Sequence, residues 1–349
     1  MSEKIDKKEK GTLSRKKIII NIILVVIIGF AINIVISFFS DFEDTVSVLK
    51  NVNISVVLIS FLIFSTTYFI DSIRLCIVTS SFQKKINFKD ALKNTLSYYF
   101  VSNITPMTSG GQPYQIYHLT QIGIESTLAT NIVMSRFIES LIFSGGVILI
   151  FLKKVINVLD KVGVGRYIII AGIVVSMSLT SLLILIFVYP KLLYKIFNFF
   201  IKIWPKKNKT KMKERASKLE NWLENLKDSI HSLWVQKAKI VAFDFILGGV
   251  VTFLHSLAFY VALAGITGVK FGIFDVFILF IIMNFVVYYV PTPGSTGGVE
   301  AFYGIVLSGF IQKKFTSPVI LIWRFSTYYL QIVFEILVLF FIRNNKKDE

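Results

Sequence analysis

The stretch VPTPGSTGGVE, residues 290–300, interrupts an apolar run that otherwise has the composition of a membrane-crossing helix. Two prolines and three glycines release backbone N–H and C=O groups from helical bonding, and Glu300 places a carboxylate beside the break. In hydrocarbon those groups cannot stay unpaired, so this backbone must be buried in protein or line a wet cavity. A second stretch, ITPMTSGGQP at 104–113, has the same form. Pro106 precedes Gly110-Gly111 as Pro293 precedes Gly297-Gly298, with three residues between in each case. Arg136 follows Gly111 by 25 residues and Arg324 follows Gly298 by 26. Each broken element is thus followed by an apolar segment carrying an arginine.

Composition agrees with a membrane setting. The 349 residues are 54% hydrophobic, with a mean hydropathy of +0.68 and 33 phenylalanines. Segments of about twenty apolar residues, enough to cross a ~30 Å hydrocarbon core, recur at 18–39, 54–80, 126–152, 167–189, 239–265 and 316–342. The period-two alternation of an outer-membrane barrel is absent. The fold expected is an all-α polytopic membrane protein with six full spans and two re-entrant or broken helical segments. Residues 18–342 would form the membrane domain, between a basic tail at 1–17 and a short tail at 343–349.

The net charge of +17 lies beside the apolar segments, which argues for topology rather than for nucleic acid or DNA as a partner. If both broken segments return to the side they enter from, 27 of the 38 Lys and Arg residues fall in the pieces on one side: 1–17, 84–93, 191–239 and the C-terminus. The opposite pieces hold 8, and Arg74, Arg136 and Arg324 lie within spans. This bias places both termini in the cytoplasm of a cell-membrane protein. It also makes the two broken segments enter from opposite faces, as an inverted repeat does in secondary transporters.

Three of only seven arginines lie inside predicted spans, where each costs a few kcal/mol unless paired or hydrated. Asp71 and Arg74, and again Arg136 and Glu139, are three residues apart on one helical face. Glu300 or Glu335 is the expected partner of Arg324, while Asp244 and Asp275 lie near span ends and read as interfacial. Guanidinium groups suit a phosphate. The substrate-binding residues expected are therefore Pro106, Gly110, Gly111, Arg136, Glu139, Pro293, Gly297, Gly298, Glu300 and Arg324, around a phospholipid headgroup. Tyr98, Tyr99, Tyr288 and Tyr289 flank the breaks. His118 and His255 have no metal-ligand pattern around them and read as polar packing residues. No cofactor, metal or catalytic residue is indicated, and no phosphate-binding Gly-x4-Gly-Lys-Ser/Thr loop occurs.

Between Lys209 and Lys237, residues Met212, Ala216, Leu219, Leu223, Leu226, Ile230 and Leu233 recur at spacings of four and three. They predict an amphipathic helix over 208–237 on the cytoplasmic surface, suited to the membrane interface, to a second copy of the chain or to an envelope enzyme.

The segments PMTSGGQPYQIYHL and VPTPGSTGGVEAFYG, together with Arg136 and LIWRF at 321–325, resemble the integral-membrane domain of lysylphosphatidylglycerol synthase/flippase proteins over about 15–345. The resemblance implies movement of an aminoacylated phosphatidylglycerol between leaflets. Two-domain members also carry a soluble domain that transfers lysine from lysyl-tRNA to phosphatidylglycerol. The sequence given ends at Glu349 with no segment for that domain, so transport is the expected activity and lysyl transfer, with tRNA as partner, the alternative. An accessory role beside an envelope enzyme is a third.

Overall fold

The protein is described by a computed structural model covering residues 42–105, 108–196, 209–289 and 297–344. The expected first span at 18–39, the tail at 1–17, Pro106, Pro293 and residues 345–349 lie outside the described residues. Those described form helices and turns, with no strand among them. In chain order the helices are α1 (Phe42–Lys50), α2 (Ile54–Ser80), α3 (Phe88–Asn103), α4 (Gly111–Gln121), α5 (Ser126–Ile150), α6 (Leu152–Lys161) and α7 (Arg166–Val188). They continue with α8 (Lys209–His231), α9 (Ala238–Thr267), α10 (Ile273–Val287), α11 (Gly298–Leu307), α12 (Lys313–Arg324) and α13 (Leu330–Asn344). A π-helical turn, Phe325–Tyr329, joins α12 to α13 as one apolar rod. Among the described residues, five elements are long and apolar enough to span a membrane: α2, α5, α7, α9 and the α12–α13 rod. They coincide with five of the six expected spans, and the chain has the fold of a polytopic membrane protein.

The sequence of α2 explains its place. Asn53 caps its first turn by accepting from the Ser55 N–H at 2.9 Å. Leu58, Leu62, Phe69 and Ile73 share one face and are exposed, the pattern of a lipid-facing stripe. Ser60, Thr67, Asp71 and Arg74 are buried. A soluble helix would turn these faces the other way; here the polar side is inward because lipid can satisfy none of its groups.

Helices α2 and α9 form the central antiparallel pair. Ser60 donates to the Ala258 carbonyl, Thr67 meets His255 and Arg74 meets Asp244, so the paired numbers sum to a nearly constant value. The C-terminal end of α2 therefore lies beside the N-terminal end of α9. The α3–α4 hairpin leaves from that end of α2 and returns there to start α5. The α10–α11 hairpin leaves from the C-terminal end of α9 and returns to start α12. Because α2 and α9 are antiparallel, the two hairpins enter the bundle from opposite ends.

The first hairpin folds back at its broken motif. Asn94 donates to the Gln115 carbonyl at 3.1 Å and meets His118 Nδ1 at 3.1 Å, which centres the first bend near residue 105. In the second hairpin Asn284 of α10 faces Tyr303 of α11, and residues 290–296 between these helices lie outside the described residues. Gly111 lets α4 press against α3: a Cβ there would overlap Ser102 Oγ and come within 2.8 Å of the Tyr98 ring. Gly297 turns the chain into α11 with a φ of +86°, a region costly for any residue with a Cβ. Around the second hairpin, Tyr303 stacks on Trp323 with centroids 4.7 Å apart, and Phe259 meets the edge of both.

Helix α8 is the expected amphipathic helix, and its described apolar side chains are used within the chain. Leu223, Leu226 and Leu233 are buried; Asn131 of α5 donates to the Ser229 carbonyl, and Trp234 Nε1 donates to Ser135 Oγ. Ile230 and Trp234 join Ile138, Leu141 and Phe187 in one cluster. The stripe from Leu223 onward thus faces α5 and α7 rather than a lipid surface.

The packing at Gly111 generates a stability test. Gly111→Ala should cost about 1–3 kcal/mol through overpacking, while Gly146→Ala, at a helical site with open space, should be neutral or slightly stabilising. Thermal unfolding of the purified protein in detergent compares them; equal melting temperatures would contradict the close approach of α3 and α4.

Candidate functional site

Five ionisable side chains from three spans meet between the central pair and α5. Asp71 and Arg74 come from α2, Arg136 and Glu139 from α5, and Asp244 from α9. With a rise of 1.5 Å per residue, Asp71 lies about 14 Å from the end of α2 and Arg136 about 15 Å from the start of α5. Both therefore lie well inside their spans. Arg74 Nη1 donates to Asp71 Oδ1 at 2.7 Å, and its Nε and Nη2 hold both oxygens of Asp244 at 2.8 and 3.0 Å. Arg136 Nη2 donates to Asp71 Oδ1 at 2.9 Å and to the Asp71 carbonyl at 3.1 Å. The Tyr99 hydroxyl donates to Asp71 Oδ2 at 2.7 Å. Asp71 thereby binds two guanidiniums and a phenol. Gly248, one turn beyond Asp244, supplies the room, since a Cβ there would stand 2.8 Å from Arg74 Nη2.

Two atoms of the cluster are unsatisfied. Glu139 Oε2 is 3.6 Å from Arg74 Nη2 and accepts no hydrogen bond. Arg136 Nε is 3.7 Å from Asp244 Oδ2 and donates none. Glu139 Oε2 and Asp244 Oδ2 lie 3.6 and 3.0 Å from the same nitrogen, Arg74 Nη2. Three carboxylates thus stand against two guanidiniums. The cluster borders a cavity of about 190 Å³, whose wall includes Tyr98 and Tyr99 of α3, Gln112 and Gln115 of α4, and Phe245 and His255 of α9. Liquid water occupies about 30 Å³ per molecule, so the space suits a headgroup fragment and not a whole lipid.

The expected residues divide between this cavity and another place. Arg136 and Glu139 line it, but they do not pair with each other as their spacing suggested: Arg136 reaches Asp71 and Asp244, and Glu139 faces Arg74. Gly110 and Gly111 sit in the hairpin turn, beside Gln112 of the wall. Glu300 and Arg324 do not line the cavity. They pair with each other, Arg324 Nε to Glu300 Oε1 at 3.1 Å, and Glu300 Oε2 accepts from the Gly297 N–H, so this carboxylate holds the start of α11. Gly298 is the first residue of that helix. The Arg324 guanidinium also lies 4.0 Å from the centre of the Tyr328 ring, whose hydroxyl donates to the Asn103 carbonyl at the end of α3. Expected as a partner for Arg324, Glu335 instead accepts from the Tyr68 hydroxyl at 2.7 Å. Asp244, expected at an interface, is 1% exposed inside the cluster. Its position six residues into a span was the signal available for it; Gly248 carried none until its neighbour Arg74 was in place.

The chain is a helical membrane protein with a charged, aromatic-walled cavity between its spans. Comparison with known proteins narrows the class. Residues 24–334 match the family model described as the lysylphosphatidylglycerol synthase TM region, and the chain belongs to that family. It is also similar to a UPF0104 membrane protein of Archaeoglobus fulgidus, with 23% identity over 328 residues, covering 88% of this chain and 93% of that protein.

The geometry separates structural from unsatisfied charges. Asp71→Asn removes the shared partner of two buried guanidiniums and should cost about 3–5 kcal/mol, a fall in Tm on the order of 10 °C. Glu139→Gln removes a carboxylate whose Oε2 accepts no hydrogen bond and should move Tm by ~2 °C or less. Thermal unfolding in detergent checks both, and the reverse ranking would refute the assignment.

Proposed function

We propose that this protein is a flippase-like transporter that carries a phospholipid or lipid-linked headgroup between leaflets through the cavity beside Asp71, Arg136 and Glu139. The observation that carries this reading is the charged lining of that cavity, in which Arg136 and Glu139 each keep one atom, Nε and Oε2, that makes no hydrogen bond. A headgroup with both a phosphate and an ammonium would satisfy both, since guanidinium matches phosphate oxygens and a buried carboxylate needs a cation. The family points to an aminoacylated phosphatidylglycerol as such a substrate. Tyr98 and Tyr99 would flank the ammonium and Gln112 and Gln115 the glycerol hydroxyl, while acyl chains stay in the bilayer.

Alternating access follows from an inverted repeat. One unit is α2 to α5, the other α9 to α13, each a long helix, a broken hairpin and a second long helix. Several contacts support it: α2 and α9 are antiparallel, the hairpins enter from opposite ends, α3 packs on α13, and α10 packs correspondingly on α5. The Lys and Arg bias supports cytoplasmic termini in a cell membrane, with the cavity then in the half of the bundle nearer the cytoplasm.

Two experiments test the proposal. In liposomes with fluorescent lysylphosphatidylglycerol in one leaflet, the purified chain should speed its appearance in the other, and Arg136→Gln should slow transport at least tenfold. Arg324→Ala and Glu300→Ala should also lose transport by releasing the second hairpin, while the proteins still insert. A wild-type rate equal to that of empty liposomes for every lipid tried would remove the transport reading, and lipid product formed on adding lysyl-tRNA and phosphatidylglycerol would favour the transferase instead. For topology, single cysteines at Lys85 and Lys270 in a Cys76→Ser background should react with impermeant reagents from opposite sides; reaction from the same side would refute the opposed hairpins.

A further inference from the structure

The cavity holds a charge imbalance that the transport reading alone does not resolve. Arg74 is spent on Asp71 and Asp244, and Arg136 on Asp71. Glu139, 3% exposed, has no guanidinium within hydrogen-bonding distance. The groups facing it are Asp71 and Arg74 from α2, Tyr98 and Tyr99 from α3, Arg136 on its own helix, and Asp244 and His255 from α9; α4 adds only the amides of Gln112 and Gln115. No lysine lines the cavity. An ion set with one uncompensated carboxylate is costly inside a membrane, so a positive charge must come from elsewhere. A substrate ammonium supplies it when the cavity is filled. When the cavity is empty, the atom best placed to receive a charge is Glu139 Oε2, which no donor reaches and which shares Arg74 Nη2 with Asp244 Oδ2. Two carboxyl groups crowded on one guanidinium nitrogen cannot both remain ionised at low cost, and one proton held between them removes the repulsion and satisfies that oxygen.

We propose that the protein is a proton-coupled exchanger, in which the ammonium of the incoming headgroup displaces one proton held between Glu139 and Asp244, and a proton returns when the headgroup leaves. The inference rests on the transport reading above. The exchange balances: the O–H bond breaks, the proton passes to water, and an N–H···O⁻ ion pair takes its place, so the charge of the cavity is the same before and after. Ammonium and proton compete for one site, so they cross in opposite directions and an inward proton gradient drives the cationic lipid outward. A lipid with phosphate but no ammonium satisfies Arg136 without displacing the proton, and its movement carries no such coupling.

The test uses the full chain with two lipids, lysylphosphatidylglycerol and phosphatidylglycerol. In weakly buffered detergent solution, lysylphosphatidylglycerol should release up to one proton per chain, read by a pH dye, and phosphatidylglycerol none. In liposomes, a gradient of one pH unit should change the rate of lysylphosphatidylglycerol movement about tenfold, the limit set by one proton per lipid, and leave that of phosphatidylglycerol unchanged. Glu139→Gln keeps the shape but cannot exchange this proton, and should lose both the release and the gradient dependence. Transport of lysylphosphatidylglycerol at a rate indifferent to the gradient, with no proton released, would overturn the coupling and leave transport standing. Absence of wild-type transport for either lipid would overturn the transport reading and the coupling with it. Proton release undiminished in Glu139→Gln would overturn the assignment to this carboxyl.

Discussion

Asp71 is the carboxylate on which the bundle depends. It accepts from Arg74, Arg136 and Tyr99, and so fastens α2, α5 and α3 at one point inside the bundle. Through Arg74 the connection passes to Asp244 and α9. Lipid offers no partner for a charged group, so side chains that would be individually expensive must be collected in one place, and that place becomes the centre of the molecule. The clearance at Gly248 and the polar inner face of α2 follow from the same demand.

Arg136 and Arg324 occupy corresponding positions after the two breaks, yet they meet different partners. The third residue after Gly297 is Glu300, which holds the start of α11 and binds Arg324. The third residue after Gly110 is Pro113, which offers no carboxylate. Arg136 therefore reaches across to Asp71, and its Nε makes no hydrogen bond. One hairpin is closed by its own ion pair, while the other leaves a polar wall available to a ligand. Arg324 and Tyr328 also tie the hairpins together, because the guanidinium that holds the second lies against the ring whose hydroxyl binds the end of the first.

Much of this was legible in the chain. The five described spans, both breaks and the amphipathic helix follow from hydropathy, Pro-Gly punctuation and the spacing of Leu223, Leu226 and Leu233, each a local property. The Asp71–Arg74 pair was legible because both lie on one helix three residues apart. The same rule misled for Arg136 and Glu139, since nearer partners on other helices compete for each charge. Asp244 was misplaced because distance from a span end measures depth along one helix and says nothing of what packs beside it.

The sequence by itself determined that the chain crosses the membrane, where its helices break, and that three arginines must find partners there, because these depend on composition and on the cost of unpaired groups in hydrocarbon. Only the tertiary structure decided which partners they find. The antiparallel seating of α2 against α9 brings residues 71, 74, 136, 139 and 244 to one level, and that level contains more carboxylates than cations. The imbalance is a property of the assembled site and of no single segment, since each of the five charges has at least one partner more than sixty residues away in the chain.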